Sequence, residues 1–402
     1  AFRLLYEVTG HYNYTILASM GILVILLGLV VMAWATRRLI RTMIGVVMPG
    51  ESDNLSDLIF SNLQLSKGPK VVVIGGGTGL SVMLRGLKAK TYNLTAVVTV
   101  ADDGGSTGRI RQDLDIIAPG DLRNCLVALA DKEGLMEKLF AHRFGGSGNL
   151  TGHSFGNLFI AALIEVLGDV EEAMDATSKV LRVRGKVIPS SAEKLRLNAE
   201  MTDGRIVEGE SQIPHAHGKI KRVFTTPEHP RAIQSAVDAI READAIVLGP
   251  GSLYTSIMPN LCVPDIVQAV RTSKAPKIYI CNVMTQPGET DDYTVSDHIR
   301  AINRQAGGKV IDFVIANNGD VDPAVLQRYV AHGSHPVMID KKEVSQTGAT
   351  LVLSDLINKE NSATHDTKKL ANVLFDLINA LRTDLSPELL HYYLKRYTFN
   401  HR

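Results

Sequence analysis

Cysteine is scarce: Cys125, Cys262 and Cys281 are the three in 402 residues. They are odd in number and far apart, which excludes a disulfide framework and leaves no paired spacing for a zinc site. Charge of one sign is also missing. With 43 basic and 42 acidic residues the net charge is +1, so the basic footprint of a nucleic-acid binder is absent and no nucleic-acid partner is expected. Aromatic residues make up 5% of the chain, one of them tryptophan, and there is neither an internal repeat nor a low-complexity tract. No nucleophile and base stand together in sequence. Glycine, in contrast, is plentiful at 34, a balance that favours an α/β fold with many tight strand-to-helix loops. The length allows two or three domains, or one large α/β domain with an elaboration.

The one long apolar run lies near the start. Thr15 to Ala35 carries no formal charge and at 1.5 Å per residue can cross a hydrocarbon core of about 30 Å. It reads as a transmembrane helix; a signal peptide has a shorter apolar stretch, roughly 7–15 residues, and a basic start. Trp34 would sit at the interface, and Arg37, Arg38 and Arg41 beyond it place the C-terminal side in the cytoplasm. Residues 1–14 are then a short extracytoplasmic segment, and because the first residue is Ala1, not Met, further residues upstream are allowed. Leu39, Ile40, Met43, Ile44 and Val47 recur at helical spacing, so the helix continues or lies along the interface until Pro49-Gly50, and a polar connector completes a juxtamembrane stretch over 36–68.

The soluble body opens with Lys70-Val-Val-Val-Ile-Gly-Gly-Gly-Thr-Gly-Leu-Ser81. The β-branched run Val71 to Ile74 suits a central parallel strand. Gly75, Gly76, Gly77, Thr78 and Gly79 let backbone N–H groups approach an anion at the start of the helix expected from Leu80 to Lys88. A dinucleotide fingerprint is met only in part, since the third glycine position is Leu80.

Leu94 to Val100 is the second expected strand and runs into Asp102-Asp103-Gly104-Gly105-Ser106-Thr107-Gly108-Arg109. At the carboxyl end of a parallel strand these acids face the same crevice as the first loop. Three readings stay open for Asp102 and Asp103: a ribose ligand, a Mg²⁺ site against phosphates, or a solvated helix cap. Ser106, Thr107 and Arg109 supply donors suited to phosphate. Asp121, before Arg123 and Asn124, reads as a helix N-cap. His153 is a candidate base without a visible carboxylate neighbour, and Ser154 and Asn157 are candidate ligands for a base or sugar.

From Lys186 to Val223 short alternating segments predict a β-rich insertion, including a hairpin of Leu195–Met201 and Arg205–Ile213 closed by a type I′ turn at Asp203-Gly204. His215 and His217 lack a third ligand and read as loop residues. The sheet then resumes. Ala245 to Leu248 ends at Gly249-Pro250-Gly251-Ser252-Leu253-Tyr254-Thr255, Lys277 to Asn282 ends at a polar loop through Thr290, and Val310 to Ala316 ends at Asn317. Strands that each end in such a loop predict one long crevice. Thr367 to Leu381 is the closing helix.

Taken together, Val-Ile-Gly-Gly-Gly-Thr-Gly-Leu-Ser, Ala-Asp-Asp-Gly-Gly-Ser-Thr-Gly-Arg, Pro-Gly-Asp-Leu-Arg-Asn, Gly-His-Ser-Phe-Gly-Asn and Gly-Pro-Gly-Ser-Leu-Tyr-Thr-Ser resemble the gluconeogenesis factor (YvcK-type) family, within the 2-phospho-L-lactate transferase (CofD-type) superfamily. The resemblance covers about 69–382. It implies a Rossmann-like, doubly wound, mostly parallel sheet and a cytoplasmic site for a UDP-type nucleotide-sugar. It also implies a role in cell shape and wall synthesis under gluconeogenic growth, with wall-synthesis or regulatory proteins as partners. Residues 383–402 form a tail. The transferase relatives use Mg²⁺ with an acid matching Asp102 or Asp103, which makes a Mg-dependent transfer of a phospho-acyl group from a guanylyl donor the alternative. An NAD-binding oxidoreductase is a distant third, and NAD is not expected. Ligand contacts are expected from Gly75–Gly79, Gly104–Thr107, Arg109, Arg123, Asn124, His153, Ser154, Asn157, Gly251, Ser252, Thr255 and Asn317. A homo-oligomer is the expected state. The chain departs from the family pattern in its membrane helix and in Thr364-His365-Asp366, where relatives often carry Arg-His-Asp.

Overall fold

Val71, Val72, Val73 and Ile74 are fully buried, as a strand covered on both faces must be. They form β1 (Val71–Gly75), an interior strand of a seven-stranded parallel sheet. The computed structural model describes residues 6–7, 14–47, 62–131, 134–358 and 362–383, in two compact units, Ala1–Gln64 and Leu65–Arg402.

The first unit contains α1 (Tyr14–Val47), a single unbroken helix. Within it Ala18–Leu39 is long and apolar enough to cross a membrane. The helical spacing of Leu39 to Val47 thus continues α1. The expected Pro49-Gly50 stop and the connector up to residue 61 lie outside the described residues, as do most of 1–14 and all of 384–402.

In the second unit, chain order after β1 is α2 (Gly77–Leu87), β2 (Leu94–Val98), α3 (Gly105–Leu114), α4 (Gly120–Leu129), α5 (Gly134–Ala141), α6 (Phe155–Leu167), α7 (Val170–Val180) and β3 (Lys186–Pro189). A small antiparallel sheet follows, of β4 (Arg196–Met201), β5 (Ile206–Glu208) and β6 (Ile220–Thr226). The chain then returns through α8 (Gln234–Arg241), β7 (Ala245–Leu248), α9 (Pro264–Thr272), β8 (Lys277–Ile280), α10 (Val295–Gln305), β9 (Phe313–Asn317), α11 (Pro323–Val330), α12 (Lys341–Gln346), β10 (Thr350–Ser354) and α13 (Thr367–Arg382).

The large sheet has the order β10-β9-β8-β7-β1-β2-β3. The chain winds outward from β1 in one direction, returns at β7 and winds outward in the other. β1 pairs with both β2 and β7, Val73 standing opposite Ala96 on one side and Val247 on the other. This is the doubly wound arrangement expected, and it puts a topological switch point at the carboxyl ends of β1 and β7.

Three expectations are corrected. The β-rich insertion begins later than Lys186, because β3 pairs with β2 and completes the large sheet; the separate sheet spans 196–226. The second hairpin strand stops at Glu208 and gives way to a 3₁₀ turn, Glu210–His215, containing Pro214, whose missing N–H cannot continue a ladder. The hairpin is not closed by a type I′ turn: of Asp203 and Gly204 only Gly204 has positive φ, and Gly204 N–H donates to the Met201 carbonyl at 3.0 Å, a type I turn followed by a glycine bulge.

Candidate functional site

At the switch point two backbone loops press together. Gly76 is extended and α2 begins at Gly77, whose φ is +69°. A Cβ on Gly79 would lie 2.9 Å from the Pro250 carbonyl oxygen, and one on Gly251 3.1 Å from that of Gly76. Side chains at these positions would wedge the loops apart. Gly76, before α2, offers no side-chain cap and the first turn holds no acidic residue; the Asp121 carboxylate takes the Gly77 N–H, and the first-turn N–H groups after it remain suited to an anion.

Beside these loops lies a cavity of about 820 Å³. Of the residues expected from sequence, Gly77, Thr78, Gly79, Asp102, Gly251, Ser252 and Thr255 line it. Gly75 ends β1 and Gly76 leads into α2, next to the lining residue Gly77. Carboxylates crowd one end. Asp102 accepts the Gly104 N–H at 2.9 Å and a bond from Thr107; burial raises its pKa, and Asp103 adds to the effect. Asp121 lines the same end, and burial with the nearby Asp102 pushes it up to about 6 while the Gly77 N–H and Arg123 oppose the rise. Glu210, also lining, is pushed up to about 8 by burial and then by Asp102, Asp103, Glu289 and Asp121. Behind them Glu289 is buried, held by the Thr255 hydroxyl at 3.1 Å, and raised by burial to about 7.

Most of the remaining expected residues are joined in a hydrogen-bonded network around α3, α4 and α6, next to Asp102. Asp103 accepts the Ser211 N–H at 2.9 Å and is directed to the small sheet's loop. Gly104 and Gly105 open α3. Ser106 is 3.2 Å from His153 Nδ1 and accepts from Asn157 Nδ2 at 3.3 Å, which also reaches Thr107 at 3.5 Å. Ser154 caps α6 through the Asn157 N–H and accepts from Arg123 Nη1 at 2.5 Å, while Arg123 Nη2 donates to Asn124 at 2.6 Å. His153 is buried and its pKa is lowered, by burial first and then by Arg109. Arg109 donates to the Thr151 carbonyl at 2.8 Å. Asn317 ends β9, where its side chain bonds Gly319 and the Leu356 N–H, and lines a different cavity of about 340 Å³.

Asp121 corrects the sequence reading. α4 is capped at Pro119 without a side-chain bond, and the Asp121 carboxylate instead meets Gly77 across the switch point. A Cβ on Gly76 would lie 2.5 Å from Asp121 Oδ2, so that glycine makes room for the acid. Glu210 also escaped sequence reasoning, because it belongs to the small sheet's loop and reaches the site only through the fold.

Among the described residues no group of three or more His, Cys, Asp or Glu is arranged to hold a metal ion. Asp102 and Asp121 nevertheless fit a hard cation that takes one or two carboxylates and completes its shell with water and phosphate oxygens.

Comparison with known proteins agrees with the geometry. The sequence model of the family described as 2-phospho-L-lactate transferase CofD matches residues 71–357. A Bacillus subtilis protein named gluconeogenesis factor is 50% identical over 311 residues, covering 77% of this chain and 98% of its own. A Halalkalibacterium halodurans protein of the same name is 48% identical over 312 residues, 77% of this chain and 97% of its own. A crystal structure of a Bacillus halodurans protein superposes with a TM-score of 0.75 at 47% identity, covering 76% of this chain and 99% of that one.

Proposed function

The chain belongs to the gluconeogenesis factor family within the CofD superfamily, and we propose that its crevice binds a UDP-type nucleotide-sugar, through which it regulates cell shape and wall synthesis during gluconeogenic growth. The observation that carries this reading is the meeting of the β1 and β7 loops at the switch point, with the first-turn N–H groups of α2 beyond Gly77 beside a cavity of about 820 Å³. Glycine loops and a helix N-terminus suit a diphosphate, and the volume is ample for a base and a sugar. Of the residues expected to contact the ligand, those lining the cavity touch it, while Ser106, Thr107, Arg123, His153, Ser154 and Asn157 hold the wall in shape. The domain spans 69–382, follows one N-terminal membrane helix, and lies on its cytoplasmic side, the side of Arg37, Arg38 and Arg41.

Thermal-shift measurement against UDP-N-acetylglucosamine, UDP-glucose, GDP and NAD, with and without Mg²⁺, tests the reading. Stabilisation by the UDP-sugars supports it; stabilisation by NAD alone overturns it.

A second reading is favoured by the carboxylates. Asp102 and Asp121 would hold Mg²⁺, which when bound neutralises phosphate charge, and the protein would transfer a phospho-acyl group from a guanylyl donor. In that case the glycine loops orient the phosphates and Glu210 retains a proton near the reacting end. Strict dependence of GDP binding on Mg²⁺ would favour this transferase over the regulator.

A further inference from the structure

α6 is apolar on almost every side. Between Phe155 and Leu167 its polar residues are Asn157 and Glu165. Gly156, Asn157, Ile160, Ala161 and Ile164 are buried, and at about 100° per residue the side turned away from them is Phe155, Phe159, Ala162 and Val166. A surface helix normally carries polar residues there. Here Val166 is 78% exposed, Ala162 is exposed and the two phenylalanines are half-buried. Phe155 and Phe159 meet Phe140 of α5 edge to face, with ring centres 5.8 and 5.0 Å away, and α5 itself leaves Leu135 79% exposed. Two neighbouring helices thus present apolar side chains to solvent, which marks a contact face.

The charges at the ends of α6 point to what covers it. His142 and Arg143 are exposed at its start, where the Phe155 N–H donates to the His142 carbonyl at 2.9 Å and Arg143 and Ser154 form an isolated β-bridge. Glu165 and Asp169 are exposed at its other end, and the last turn carries no base. Each sign opposes the helix macrodipole, which favours anions at the N-terminus and cations at the C-terminus. A second α6 laid antiparallel against the first answers both, because the basic start of one helix meets the acidic end of the other. In that register Phe155 of one copy stands opposite Val166 of the other, and Phe159 opposite Ala162, whose small side chain leaves room for the ring. A bilayer surface fits less well, since Glu165, Asp169 and Glu172, all exposed, would face anionic headgroups.

We propose that α6, flanked by α5, is a self-complementary interface on which a second copy of this chain docks about a two-fold axis, the two α6 helices running antiparallel. Such a face pairs with itself and closes, giving a dimer and not a filament. The pairing of Arg143 with Glu165 then occurs twice, once on each side of the axis.

Sedimentation velocity of the full chain in density-matched detergent tests this, for the wild type, Val166→Glu, Arg143→Glu, Glu165→Lys and the double reversal of Arg143→Glu with Glu165→Lys. The wild type should be a dimer at micromolar concentration. V166E sets a charge against Phe155 of the other copy and should be monomeric. Each single reversal brings like charges together at two places and should weaken dimerisation by about tenfold or more, and the double reversal should restore it to within about threefold of the wild type. Melting curves show whether each variant is folded. A monomeric wild type overturns the proposal and gives the face to the bilayer or to a different protein, as does a dimer that V166E leaves intact, such as one held through α1. Loss in both single reversals without recovery in the double overturns the antiparallel pairing and the proposal with it.

Discussion

Asp121 illustrates how a single residue changes meaning between sequence and structure. In Pro119-Gly120-Asp121 it has the spacing of a helix cap, and nothing local distinguishes it from one. What recruits it to the site is the approach of α4 to the end of β1, a contact made by the fold. Its pKa of about 6 lies above the ordinary 3.8, so the folded chain holds that proton more tightly than the unfolded one. The associated stability is present below about pH 4 and is lost as pH rises through about 6. Asp121→Asn, which still accepts from Gly77, should therefore stabilise the ligand-free protein at pH 8 by about 1 kcal/mol, discounted for the solvent reaching this half-buried group, and by less at pH 4.5. Chemical denaturation at the two pH values checks this; an equal effect at both would refute it. Asn157 sits at the other extreme, buried behind the site with bonds to Ser106 and Thr107. Asn157→Ala should cost about 1–3 kcal/mol by removing the amide that donates to both hydroxyl oxygens, measured by the same denaturation at neutral pH.

At the scale of elements, the two glycine loops act as one unit. Adding a β-carbon at Gly79 sets it against the Pro250 carbonyl, a backbone atom that cannot swing aside. Gly79→Ala should lower the melting temperature, by about 1–3 kcal/mol of overpacking, and should weaken nucleotide binding more than its stability loss explains. Gly145→Ala, at a position where a Cβ meets nothing within 4 Å, is the control and should do neither. The β1 strand, its loop, the acid-bearing loop after β2 and the Gly249–Ser252 loop were all legible, because buried parallel strands announce themselves by unbroken β-branched runs and the glycines follow directly. β3 was not. Its four residues, Lys-Val-Ile-Pro, have the length and texture of the small strands that come after, and only pairing with β2 assigns them to the large sheet. The acid cluster was legible in half: Asp102 stands at a strand end, whereas Glu210 arrives from a loop of the small sheet more than one hundred residues away.

At the scale of the molecule, α1 and the α/β body are separate compact units. Ala18–Leu39 carries the length and apolarity of a membrane span, while the β-branched core of the body is complete without it. The full chain should therefore sediment with membranes through an alkaline carbonate wash, and a chain beginning at Leu65 should stay in the supernatant and melt cooperatively. Recovery of the full chain in the supernatant would refute the anchor. A second copy is the proposed partner of the body, and light scattering of the chain beginning at Leu65 checks that state.

The β1/β7 switch point is the proposed seat of a UDP-type nucleotide-sugar. Calorimetric titration of the full chain in detergent with UDP-N-acetylglucosamine, alongside Gly79→Ala, tests it most directly. Saturable one-site binding by the wild type is expected, weakened by about tenfold or more in G79A, with NAD neither binding nor competing. Binding of NAD in place of the UDP-sugar, or equal affinity in the wild type and G79A, would contradict it.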